Sequence, residues 1–85
     1  MSYRVIWPRA ARNDLADIWL NAADQNAVTS ASAEIDRQLG AEPLRAGRPM
    51  RSSVRRRLVV PPLGVLYEVI EDDKRVIVEA VFRIA

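Results

Sequence analysis

The sequence predicts an α+β domain: a helical hairpin packed on a small, mainly antiparallel four-stranded sheet, in the order strand, helix, helix, strand, strand, strand. Three observations predict it. Apolar residues recur at spacings of three and four between Ala11 and Leu39, then alternate at a spacing of two from Val54 onward. Chain breakers fall between those regions, at Pro43, Gly47 and Pro49, and again at Pro61 and Pro62. Two amphipathic helices also need an apolar surface to cover, and one face of a sheet supplies it.

Residues 3–7 (YRVIW) read as a short strand, with Tyr3, Val5 and Trp7 on one side and Arg4 and Ile6 on the other. Pro8 suits the first turn of a helix, where its missing N–H costs no hydrogen bond. Ala11, Leu15, Ile18, Trp19 and Ala22 then form one apolar face of a helix running to about Ala23, with Trp19 as a core anchor. Arg12, Asp14, Asp17 and Asn21 are left to solvent. Asp24 or Asn26 can cap a second helix whose buried face is Val28, Ala31, Ile35 and Leu39, with Gly40 as its terminating residue. Residues 41–53 read as a loop.

Three strands follow. In residues 54–60, Val54, Arg56, Leu58 and Val60 oppose Arg55, Arg57 and Val59, until Pro61 and Pro62 stop the run. Gly64 lets the chain turn into residues 64–71 (GVLYEVIE), where Val65, Tyr67 and Val69 share a face opposite Leu66, Glu68 and Ile70. Residues 71–74 (EDDK) make a turn. The last strand, 75–84, sets Val76, Val78, Ala80 and Phe82 against Ile77, Glu79, Val81 and Arg83.

With 85 residues the chain is expected to form a single domain, residues 1–85. It has no cysteine, hence no disulfide or thiolate chemistry, and no histidine, the usual neutral-pH base and metal ligand. No metal site or cofactor is expected. No run approaches the roughly 20 apolar residues of a membrane helix, and nothing resembles a signal peptide, so a cytoplasmic protein without a membrane partner is expected. Thirteen basic residues stand against 11 acidic ones, which hides a local asymmetry. Arg45, Arg48, Arg51, Arg55, Arg56 and Arg57 fall in a stretch with no Asp or Glu between Glu42 and Glu68. Like charges gathered this closely repel unless a partner neutralises them. The stretch therefore reads as a surface for phosphates or for an acidic protein segment.

Residues 3–19 (YRVIWPRAARNDLADIW) and 55–81 (RRRLVVPPLGVLYEVIEDDKRVIVEAV) together make the chain similar to the RelE/ParE superfamily of bacterial toxins. The first stretch matches an opening strand leading into a helix with Leu and Trp. The second matches the central strand, the VLYEV strand and the closing strand, in that order. The resemblance implies a toxin of a type II toxin–antitoxin pair, neutralised by a cognate antitoxin. It implies two alternative targets, the ribosome with its messenger RNA, which RelE-like members cut, or DNA gyrase, which ParE-like members inhibit. A second expectation is a catalytically degenerate binding module serving antitoxin binding and autoregulation.

In the cutting branch, the family's alternate basic positions fall on Arg55 and Arg57, and Arg83 is nearest to a further basic residue on the closing strand. Gly64 stands where that branch carries arginine, and a terminal tyrosine element has no counterpart. Arginine stabilises a phosphorane-like transition state well but is a poor base. A base for RNA cleavage would be Glu68, Glu79, Tyr67 or the ribosomal RNA itself.

Overall fold

The structure, a computed structural model, describes residues 2–51 and 54–84. Its elements are β1 (Arg4–Ile6), α1 (Arg9–Leu20), α2 (Gln25–Ala41), α3 (Pro43–Ala46), β2 (Arg48–Pro49), β3 (Arg55–Val60), β4 (Leu63–Ile70) and β5 (Arg75–Arg83). They form a five-stranded sheet in the order β1-β5-β4-β3-β2, with α1 and α2 on one face. β1 is parallel to β5, and the other neighbouring strands are antiparallel. The α+β architecture is the one expected, with five strands in place of four.

The additional strand lies in the stretch expected to be loop. Pro43 opens a helical turn there and is itself buried. Arg48 and Pro49 then pair with Arg57 and Arg56 at the sheet edge, a position that tolerates proline. Ser52 and Ser53, the end of the expected loop, lie outside the described residues.

Local hydrogen bonds explain where the helices stop. α1 ends at Leu20, earlier than expected, because Asn21 Nδ2 donates to the Asp17 carbonyl at 2.8 Å and Gln25 Nε2 to the Trp19 carbonyl at 3.1 Å. Asp24 caps α2 by accepting from the Ala27 amide at 3.0 Å. Gly40 does not terminate α2, which continues to Ala41. The Gly40 carbonyl instead accepts from the Tyr3 amide at 2.8 Å, docking the approach to β1 on the end of the helix.

The core joins Ala11 of α1 and Val28, Ala31, Ile35 and Leu39 of α2 to Leu58, Leu63, Val65, Tyr67, Val76, Val78 and Val81 of the sheet. Leu15 and Ile18 pack at its border. Trp19 is not the expected core anchor. It is 39% exposed, and its Nε1 donates to Thr29 Oγ1 at 3.2 Å across the helical hairpin. Successive helical residues point about 100° apart, so seating Ile18 against the core turns Trp19 to the flank.

β5 departs from strict alternation. Tyr67 pairs with Val78 and Leu66 with Ala80, which makes Glu79 the extra residue of a β-bulge. Beyond it the parity reverses: Val81 enters the core, while Ala80 and Phe82 turn to the face away from the helices. At the other end of β5, the Tyr3 hydroxyl donates to the Glu71 carboxylate and the Arg4 amide to the Lys74 carbonyl at 2.8 Å, tying β1 to the 71–74 turn. Among the described residues, no helix is long and apolar enough to cross a membrane.

Candidate functional site: the open face of the sheet

Opposite the helices the sheet presents Arg55, Arg57 and Val59 of β3, Gly64, Leu66, Glu68 and Ile70 of β4, and Ile77, Glu79, Ala80 and Phe82 of β5. Arginines, the carboxylates of Glu68 and Glu79, and apolar side chains therefore share one surface.

The six arginines of the basic stretch separate into distinct roles. Arg45, on α3, lies 3.4 Å from Glu42 and faces solvent. Arg55 is paired with Glu79 at 2.5 Å and stands opposite Glu68 in the strand register. Arg56 turns the other way, and its guanidinium donates to the carbonyls of Leu44 at 2.6 Å and Gly47 at 3.0 Å. Arg48 and Arg57 are direct cross-strand partners. Arg51 is exposed in the turn after β2. Thus Glu42 and Glu79, from just before the stretch and from a distant strand, neutralise charges that look unpaired in the sequence.

Arg56 and Tyr67 together hold α3 and β2 in place. Tyr67 is fully buried; its hydroxyl donates to the Pro43 carbonyl at 2.6 Å and accepts from the Gly47 amide at 3.0 Å. Gly47 is required by this close approach, because a Cβ there would lie 2.5 Å from the Arg57 carbonyl oxygen and 2.6 Å from the Tyr67 hydroxyl. Burial and its two backbone partners withdraw Tyr67 from the set of candidate bases.

Gly64 lies within β4, opposite Phe82, rather than in a turn. The Phe82 ring occupies the space that any side chain at 64 would need. The guanidinium of Arg57 sits over that ring, 5.4 Å from its centroid. Glycine, phenylalanine and arginine thus form a three-strand stack on the open face, towards the end of the sheet where β3 turns into β4. Sequence reasoning missed it because the bulge at Glu79 reverses the side on which Phe82 emerges; the pairing of a strand glycine with an aromatic was the available signal.

Arg83 does not join Arg55 and Arg57. It pairs with the core residue Leu63 and lines a cleft with Ala22, Ala27, Val28, Pro61 and Pro62 on the helical side. The three residues expected from resemblance to form a cleavage centre are therefore split between two faces.

The family described as the ParE toxin of type II toxin-antitoxin system, parDE, matches residues 5–84. No match was found among curated protein sequences. Among solved structures, the chain is similar to one in the RelBE2 toxin-antitoxin complex of Mycobacterium tuberculosis, with a TM-score of 0.82, 21% identity, and coverage of 98% of this chain and 92% of that one. It is also similar to a chain of the chromosomal ParDE system of P. aeruginosa, with a TM-score of 0.75, 19% identity, and coverage of 99% and 98%. A chain of the archaeal RelE-RelB complex of Pyrococcus horikoshii gives a TM-score of 0.71 at 17% identity, covering 98% and 96%. These structures share the fold, and the family match spans nearly every element described above, so the chain belongs to the ParE family, the toxins of type II toxin–antitoxin systems.

Proposed function

We propose that this toxin stops growth by inhibiting DNA gyrase rather than by cutting messenger RNA, and that a cognate antitoxin silences it by covering the open face. The observation that carries the choice of target is the Gly64–Phe82–Arg57 stack. An RNA-cutting centre needs several cations and a base converging on one phosphate. Here the ring of Phe82 fills the place of one cation, Arg83 emerges on the other face, and Arg55 is engaged by Glu79. Buried Tyr67 supplies no base to that face, and of the two carboxylates there Glu79 is held by Arg55, which leaves Glu68 alone without converging cations. Gyrase inhibition asks only for a binding surface, which the mixed apolar and charged face provides. Antitoxin binding is supported by the similar chains of RelBE2 and ParDE, which come from toxin–antitoxin systems. The proposed target and partner are both cytoplasmic, which supports the reading of a cytoplasmic toxin.

Induction of the chain without a partner tests the proposal. Growth should arrest, plasmid DNA should lose negative supercoils, and messenger RNA ends should stay unchanged; the partner gene should restore growth. New cuts within translated messages, with supercoiling intact, would reverse the choice of target. Absence of arrest in cells that accumulate folded protein would instead favour the regulatory binding module.

A further inference from the structure

We infer that Arg48 and Arg57 form a clamp for one carboxylate, and that the cleft beside them takes an aliphatic side chain of the same extended acidic peptide. This rests on the antitoxin reading and specifies the chemistry of the segment that would dock there.

The register sets the clamp. Arg48 and Arg57 are directly opposite on neighbouring antiparallel strands, so both project from the same side. Like charges in that relation repel, and neither guanidinium meets an acid or a carbonyl acceptor among the described residues. By contrast, Arg45, Arg55 and Arg56 each have such a partner. Phe82 holds the Arg57 guanidinium against its ring, while the Tyr67 and Arg56 hydrogen bonds fix the segment leading to Arg48. Arg57 is thereby held over the sheet and Arg48 stands at its edge, so a carboxylate entering between them would meet a fork of donors from each side.

The same two arginines line a cleft of about 490 Å³, whose remaining wall includes Ala46, Pro49, Met50, Leu58 and Val59. Met50 and Val59 are 38% and 39% exposed, so the apolar lining is open to a visitor. Its chemistry favours a peptide over a nucleic acid. The wall is aliphatic, with no aromatic face on which a base could stack. On an extended peptide, residues two apart project to the same side at about 7 Å spacing, which lets one side chain meet the clamp as the other enters the cleft.

The test is an NMR titration of the isotope-labelled full chain with the capped octapeptide SESVSESV. Controls are SQSVSQSV, SESSSESS and an eight-nucleotide RNA. Binding at a Kd of about 0.1–1 mM should shift the amides of Arg48, Met50 and Val59. Replacing glutamate or valine in the peptide, or introducing Arg48→Gln or Arg57→Gln, should weaken it about tenfold, whereas Arg45→Gln should change it less than about twofold. The substituted positions are exposed, and unchanged spectral dispersion confirms folding. Absence of binding at about 5 mM, equal binding of the glutamine peptide, or tighter binding of the RNA at these amides would overturn the inference. The induction experiment separates the two levels: if arrest and rescue by the partner persist, the clamp alone is wrong; if they fail, the antitoxin reading fails as well.

Discussion

Tyr67 concentrates two backbone obligations in one oxygen, bridging Pro43 and Gly47 in the interior. Tyr67→Phe keeps the ring but leaves a buried amide and carbonyl without that partner. It should cost about 1–3 kcal/mol in denaturant unfolding and speed hydrogen exchange at the Gly47 amide before global unfolding. Unchanged Gly47 protection would show that the hydroxyl does not secure this segment. Glu34 gives a pH-dependent counterpart on α2. Hydrogen bonds from Arg37, then Gln38, hold its carboxyl down to about 2 from the usual 4.5. Because the folded value is depressed, its contribution to stability is present above the usual value and is lost as pH falls from about 4.5 through about 2. A carboxyl-carbon NMR titration should place the Glu34 midpoint near 2. Arg37→Ala should move that midpoint upward, and an ordinary midpoint in the parent protein would remove this source of acid sensitivity.

At the scale of elements, β4 and β5 are joined by a complementary absence and excess of side chain at Gly64 and Phe82. Gly64→Ala should destabilise the fold by about 1–3 kcal/mol, because the added methyl displaces the ring and disturbs its contact with Arg57. Combining it with Phe82→Ala should cost less than the sum of the single substitutions, a coupling that a double-mutant cycle of unfolding free energies would measure. Strict additivity would contradict the packing account. The same pair shows what was legible in the sequence. Periodicity located both long helices and the last three strands, since each carries a repeated apolar face strong enough to override its loops. β2 was hidden because two edge residues carry no periodic signal. The Glu79 bulge was hidden because alternation is blind to an inserted residue, and so the outward turn of Phe82 and the separation of Arg83 were hidden too. The basic surface was legible as composition, but Arg55 finds its acid on β5 and Arg56 its acceptors in the segment before β2, both distant in sequence.

For the whole molecule, that sorting of charge reduces a broad basic stretch to the exposed Arg51 and a cross-strand arginine pair set into an apolar surround. The scaffold restrains both sides of the pair, through Phe82 under one guanidinium and through α3 before the other. Partner selection can therefore depend on the placement of a single acid more than on the total charge of the partner. The parallel pairing of β1 with β5 has a further consequence for how the molecule comes into being. Arg4, Val5 and Ile6 meet Arg75, Val76 and Ile77, contacts that close a loop spanning most of the chain. Such remote pairing lags behind the local hairpins of β3, β4 and β5. During synthesis β1 leaves the ribosome long before its neighbour exists, and β5, which brings Glu79 and Phe82, is the last strand to emerge. The open face is therefore assembled only once β5 has emerged and paired with both β4 and β1, so the surface depends on the most remote contacts in the sheet.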